Sequence, residues 1–420
     1  MNNEDILTAL KEGNVPSEGV QDFCIGRDKE IEEFKRLLEK IDEEDKSIVK
    51  FLNGEFGAGK SFFLKVIEDM AYRNNFAVSW ITVGNNLPFN KIDVVYKNIA
   101  KSLRCKTGTS LEHIIERWLI GIQAMVFEDI EDPDEQVKVL TERVHDELNE
   151  TRDYSNAFAT AIENYNRLKI EGDYEGASSA IAWLRGDSNI PASIKKKFGI
   201  KGAIDRENAL NFLEALSIFI KSAGYSGLVI LIDEVEFIMN LHTQKIRDVA
   251  YNYIRDIYDN CNLSKFNSTL FVFAGTPEFF DNPRKGIPSY SALDDRIRNV
   301  LETDLVDMRT PVINLKGLNK EDIVQVSSKL IKMHEEVYNW DASNLITPII
   351  GDIAEIQVSN AGLTGGNVNA RDFFRKFISL LDTVEQNPEH FKNSQDVMSK
   401  FMENNENIDV DEFDEFDDDW

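Results

Sequence analysis

The segment Gly54-Glu55-Phe56-Gly57-Ala58-Gly59-Lys60-Ser61 constrains this chain more than any other feature. It matches the pattern G-x-x-x-x-G-K-[ST] in full. A short β-branched and aromatic run, Ser47 to Gly54, leads into it, and a helical pattern follows Lys60. Strand, glycine loop, helix is the order a phosphate cradle needs. Glycines let consecutive backbone N–H groups turn toward one centre, and a helix opening there adds its N-terminal partial positive charge. The pattern predicts that Gly54 to Ser61, with Phe62 next in line, wrap the phosphates of a nucleotide. Lys60 would reach the β and γ phosphates, and Ser61 would hold Mg2+ through its hydroxyl.

Elsewhere strands alternate with helices. Phe76 to Val83 completes a first βαβ unit, Leu228 to Glu234 and Thr269 to Gly275 are apolar runs of the kind covered on both faces, and Pro311 opens the last strand candidate. The alternation predicts an α/β fold, a three-layer P-loop architecture on a mostly parallel sheet. Ile31, Phe34, Leu37, Leu38 and Ile41 recur at helical spacing, so a helix should begin near Asp28. A large helical insertion is expected over 103–224. After Asn319, a plausible N-cap with Asp322 in the first turn, a C-terminal helical lid is expected. The expected organisation is an N-terminal helical segment over 1–20, bearing Ile6, Leu7 and Leu10, and a nucleotide-binding core over 21–102 and 225–317. The insertion over 103–224, a lid over 318–398 and an acidic disordered tail over 399–420 complete it.

Charge and cysteine content narrow the function classes. The net charge of -27 opposes indiscriminate attraction to nucleic acid, and ten of the carboxylates lie between Glu403 and Trp420 with no Lys or Arg among them. Cys24, Cys105 and Cys261 are dispersed and odd in number, which suggests neither a disulfide framework nor a zinc site. The five histidines have no ligand spacing. With no leader-like segment and no apolar run of about 18 residues, a cytoplasmic protein without membrane spans is expected.

The apolar run Leu228 to Ile232 ends in Asp233-Glu234, at the strand edge where open α/β sheets bind ligands. Asp233 is expected to hold magnesium through water, and Glu234 to polarise the attacking water. Thr276, a polar residue closing an apolar strand, either contacts the γ-phosphate or is a simple strand-to-loop transition. Arg296 and Arg298 could supply an arginine that stabilises transition-state charge in a neighbouring subunit, or else pair with Asp294 and Asp295. Arg371 opens a helix in the lid, where its charge opposes the helix dipole and so points to a functional reason. Lys195, Lys196 and Lys197, with Lys201 nearby, could meet nucleic acid phosphates but read better as a solvated helix face.

The phrases I-G-R-D-K-E, G-E-F-G-A-G-K-S, V-I-L-I-D-E, F-A-G-T-P and G-G-N-V-N-A-R together resemble AAA+ ATPases (ASCE class) of the origin-recognition and helicase-loader branch. That resemblance implies that Gly26 and Arg27 lie near the adenine, that Thr276 is sensor 1, Arg296 the trans-acting finger and Arg371 sensor 2. Further phrases, A-L-K-E-G-N-V-P, A-W-L-R-G, G-Y-S-G-L-V-I-L-I-D-E-V-E, F-A-G-T-P-E-F-F-D and G-I-P-S-Y-S-A-L-D-D-R-I, resemble the ATP-binding proteins of bacterial BREX phage-defence systems, of the BrxC/BrxD type. The similarity spans about Leu7 to Phe377, and the chain's length is closer to the BrxD type. It implies an ATPase in antiviral defence, homo-oligomeric, using ATP and Mg2+ to remodel or load a DNA-processing partner such as a helicase. About forty residues follow Phe377, and no winged-helix domain is apparent there. Phe413, Phe416 and Trp420 among the tail's carboxylates resemble a protein-docking tip. Two other readings stay open: a slow nucleotide-dependent switch, and direct DNA binding through the Lys195–Lys201 face.

Overall fold

The computed structural model describes residues 2–16, 19–187, 189–197, 199–200, 202–298, 307–363 and 368–406. Five strands form one parallel sheet: β1 (Ile48–Asn53), β2 (Phe76–Thr82), β3 (Gly227–Asp233), β4 (Thr269–Gly275) and β5 (Val312–Asn314), in the order β2-β3-β4-β1-β5. Every residue of β3 and β4 is buried. That burial explains why both read as unbroken apolar runs rather than alternating ones, since helices cover both faces of a parallel sheet.

Register aligns the strand ends. Asn53 pairs with Gly275 on one side and Asn314 on the other, and Thr82 pairs with Asp233. The C-terminal ends of the strands therefore fall along one edge. There the Asn53 amide donates to the Asn314 side-chain oxygen at 2.9 Å. Behind that edge Phe51 stacks on Phe273 with ring centroids 5.2 Å apart. A basic side chain sits inside this sheet: Lys50 of β1 is buried 3.4 Å from Glu33 and donates to the carbonyls of Met308 and Thr310, both at 2.7 Å. Burial pushes the Lys50 ammonium down, against the pull of Glu33.

The chain divides into two compact units. A sheet unit comprises 29–53 and 67–314, and a helical unit comprises 1–28, 54–66 and 315–420. This departs from the expected boundaries in three places. Residues 103–224 share one core with the strands: Trp118 meets Phe219 edge-on at 5.3 Å, Trp183 meets Phe212 at 5.5 Å, and the Tyr96 hydroxyl donates to the Leu184 carbonyl. Residues 54–66, expected with the core, group with the helical unit. Residues 1–20, expected as a separate segment, do so as well, because Ile6, Leu7 and Leu10 of helix Asn3–Lys11 are buried with the apolar faces of helices Lys320–Tyr338 and Ala370–Gln386.

Local rules place the helix starts. Asn319 caps helix Lys320–Tyr338 through a reciprocal box, its side chain accepting from Asp322 N at 2.9 Å while Asp322 accepts from Asn319 N at 3.0 Å. Such a cap stabilises by about 1 kcal/mol. Helix Ser394–Glu406 runs past position 399, where the acidic tail was expected to begin. The tail's aromatic residues Phe413, Phe416 and Trp420 lie outside the described residues.

Candidate functional site

In the helical unit the glycine loop curls around the ammonium of Lys60. Gly57 and Gly59 adopt φ of +79° and +90°, a region that side chains rarely enter. Lys60 Nζ donates to the Gly54 carbonyl at 2.7 Å and the Glu55 carbonyl at 3.1 Å. With 8% exposure the lysine is buried in its own loop. The loop then passes into helix Lys60–Arg73, whose first turn closes with Phe63 N donating to Gly59 O at 2.8 Å.

Three groups distant in sequence hold the loop. Arg27 Nη2 donates to the Ala58 carbonyl at 3.1 Å and also to the Lys316 carbonyl. Ala370, the first residue of helix Ala370–Gln386, donates its N–H to Gly57 O at 3.2 Å, and Asn369 Nδ2 donates to Phe56 O at 3.4 Å. The Arg371 guanidinium lies over the Phe56 ring at 5.4 Å. A Cβ on Gly57 would come within 2.2 Å of the Asn369 amide, so glycine is required there by close approach as well as by φ. Gly26, at φ +69°, lies against the Asp322 carboxylate, which a Cβ would meet at 2.3 Å. Asn369 and Asp322 were not singled out as site residues by the sequence. Their signal was present in their roles as helix cap and capping-box partner, which ordinarily mean only a helix start.

The sheet unit carries the acidic pair. Asp233 closes β3, is buried, and accepts from the N–H of Glu234 at 3.0 Å. Glu234 itself adopts φ 58° and ψ 39°, a left-handed conformation unusual for a residue with a side chain. The turn that follows lies against the end of β4, where a Cβ on Gly275 would meet Val235 Cγ2 at 2.7 Å and Glu236 Oε2 at 3.4 Å. Thr276 is the next residue of that strand end. It begins helix Pro277–Asp281 without using its hydroxyl as a cap.

Arg296 takes a different partner from those expected. Its Nε and Nη2 donate to both oxygens of Asp259, at 2.6 Å and 2.8 Å, while Asp294 pairs with Arg298. The hydrogen bonds to Asp259 hold the Arg296 guanidinium firmly in its charged form. Of the lysine cluster, Lys195 donates to the Gly202 carbonyl and Lys197 pairs with Asp173, both at 3.0 Å, and Lys201 lies outside the described residues.

The loop fits a polyphosphate. A Cβ added at Gly59 would point into space with nothing within 4 Å, in the same loop whose Gly54 and Glu55 carbonyls accept from the Lys60 ammonium. Among the described residues no group of three or more His, Cys, Asp or Glu side chains could hold a metal ion. Mg2+ is ordinarily bound through one or two protein oxygens together with phosphate and water, so it does not need such a group.

A parallel α/β sheet with this glycine loop between its β1 strand and a helix, and an aspartate closing the buried β3 strand, defines the P-loop class of nucleotide-binding proteins. Within that class, the chain belongs to the family of BREX system ATP-binding proteins BrxC/D, whose model matches residues 1–400. Membership assigns it to ATP binding in phage defence. No curated protein matches the chain. No described helix is long and apolar enough to cross a membrane.

Proposed function

We infer that this chain is an AAA+ ATPase of the helicase-loader branch, nearer the BrxD type, whose hydrolysis of ATP remodels or loads a DNA-processing partner. The observation that carries hydrolysis beyond binding is the backbone of Glu234. A side chain held in the left-handed region costs about 1 kcal/mol or more, and such strain persists where the surrounding structure imposes a geometry that function uses.

In this reading the N–H groups of Gly57 to Lys60 and the ammonium of Lys60 bind the phosphates, and Gly26 and Arg27 flank the base. Mg2+, when bound, supplies charge neutralisation on the phosphate oxygens, with the Ser61 hydroxyl and the Asp233 carboxylate as its protein partners. Glu234 orients and deprotonates the attacking water, and Thr276 offers a hydroxyl toward it. Arg371 acts as the sensor at the lid over 318–398. Arg296 exchanges Asp259 for the γ-phosphate of a neighbouring copy, so turnover requires assembly. The protein works in the cytoplasm, with a helicase as its partner and DNA as the final object.

The hold of Asn369, Ala370 and Arg371 on Phe56 and Gly57 favours a second reading, a slow switch in which the bound nucleotide mainly resets that grip. ATP turnover by wild type and Glu234→Gln, each with and without DNA, separates the two. Turnover in wild type that falls about 10²–10⁴-fold in a variant still able to bind ATP supports the ATPase. Tight binding without turnover under every condition, including with DNA, supports the switch.

A further inference from the structure

Helix Leu111–Asp129 is apolar on two sides. Ile115, Trp118, Leu119, Ile122 and Val126 are buried in the core of the sheet unit. On the other side Ile120, Ala124 and Phe127 are spaced i, i+4, i+7 and form an outward stripe. Ile120 is 63% exposed, Phe127 47%, and the adjacent Met125 59%. Gly121 and Ala124 are exposed too, so a partner could approach the helix backbone closely there. A surface helix normally turns polar residues outward, and neighbouring large apolar side chains at helical spacing mark a contact surface.

Charge identifies what would cover it. Directly after Phe127, residues 128–135 contain six carboxylates, Glu128, Asp129, Glu131, Asp132, Asp134 and Glu135, and no Lys or Arg. All six are exposed. Asp132 is used locally, accepting from the backbone of Asp134 and Glu135 to cap helix Pro133–Glu147. The other five form no ion pair among the described residues. A second copy of the chain would set the same acidic rim against itself. The chain's own C-terminal segment, with ten carboxylates from Glu403 onward, would be repelled as well.

We propose that the Ile120–Ala124–Phe127 stripe and its Glu128–Glu135 rim dock a basic amphipathic helix of a partner protein. Apolar residues of that helix at i, i+4 and i+7 cover the stripe, and Lys or Arg beside them neutralise the rim. The surface is independent of the nucleotide loop and holds whichever reading of hydrolysis is correct.

The test titrates the full chain, by fluorescence anisotropy, with a labelled helical peptide of about 20 residues carrying leucines at i, i+4, i+7 flanked by Lys and Arg. A matched peptide with Glu in place of Lys and Arg is the control. The basic peptide is expected to bind and the acidic one to fail. Ile120→Asp and Phe127→Asp should each weaken binding about tenfold or more, as loss of a central anchor does. Glu128→Lys with Glu131→Lys should weaken it several-fold and flatten its salt dependence. These side chains lie outside the core, and Phe127→Ser serves as a second variant should Phe127→Asp unfold. Binding of the basic peptide that survives Phe127→Asp, or equal binding of both peptides, overturns the proposal. So does sedimentation showing a wild-type dimer that Phe127→Asp dissociates, which would make a second copy the occupant.

Discussion

Arg371 and Phe56 are joined by a cation–π contact, the guanidinium 5.4 Å from the ring centroid, so a residue of the glycine loop holds the arginine that opens helix Ala370–Gln386. The stem of Arg371 passes close to Gly13, where an added Cβ would meet its Cγ and Cδ at 3.3 Å. Phe56 is 69% exposed, and such a contact is worth about 0.5–1 kcal/mol. If Arg371 must leave the ring to reach a phosphate, Phe56→Ala should tighten ATP binding about 2–5-fold, and Arg371→Ala should weaken it. Titration of a fluorescent ATP analogue checks both. Weakening by both variants would make the ring itself part of the nucleotide contact.

The two glycines of the loop should respond differently to a methyl group. Gly59→Ala meets open space and carries only the strain of φ +90°, about 1–2 kcal/mol, but places its Cβ where a phosphate would lie. Gly57→Ala carries similar strain and also displaces the Asn369 amide from 2.2 Å. Denaturant unfolding should therefore show Gly57→Ala as the less stable variant, while Gly59→Ala loses ATP binding with stability reduced only by its backbone strain.

Glu234→Gly relieves the left-handed strain at that position. The variant is expected to be about 0.5–1 kcal/mol more stable than wild type, or at worst unchanged, while ATP turnover falls to background. A calorimetric scan beside a phosphate-release assay reads both. A clear loss of stability would mean that the Glu234 side chain supports the fold and that its backbone stores no strain for catalysis.

His334 is fully buried, and its protonation pattern follows from its neighbours. Trp340 Nε1–H is a donor only and points to His334 Nδ1 at 2.8 Å, so the ring hydrogen sits on Nε2 and is donated to Asp382 Oδ1 at 2.9 Å. Asp382 also accepts from Lys11 Nζ at 2.6 Å, tying helix Asn3–Lys11 to helix Ala370–Gln386. Burial pushes the Asp382 carboxyl up, but the hydrogen bonds from His334 and Lys11 outweigh it and the net shift is downward from 3.8. A carboxyl held below its unfolded value contributes stability that is complete above that value and lost as pH falls through the folded one. Asp382→Asn should thus cost about 1.5–3 kcal/mol at pH 7, and clearly less at pH 2–3, in urea unfolding. An equal cost at both pH values would remove the carboxylate charge from the account.

Elements governed by their own residues were legible beforehand. β4 runs Thr269–Gly275, the span of its apolar run, and the capped helix start at Asn319 follows from a short polar side chain that accepts a nearby backbone N–H group. The brevity of β5, three residues, was not legible, because a strand paired on one side only is defined by its neighbour β1 more than by its own pattern. Nor was the partner of Arg296. Asp294 and Asp295 are closer in sequence, yet packing of helix Ser291–Ile297 against helix Gln244–Asn262 brings Asp259 within reach.

The sequence by itself determined the glycine loop, the strand and helix on either side of it, and the Asp233-Glu234 pair at a buried strand end. Each of these rests on short-range rules: backbone freedom at glycine, apolar runs, capping. Only the tertiary structure decided that Arg27, Asn369 and Ala370 grip that loop, that 103–224 shares the core of the sheet, and that Glu234 sits in a left-handed turn. Those features join residues up to 313 positions apart. Contacts of that reach depend on how whole faces pack, which no local pattern encodes.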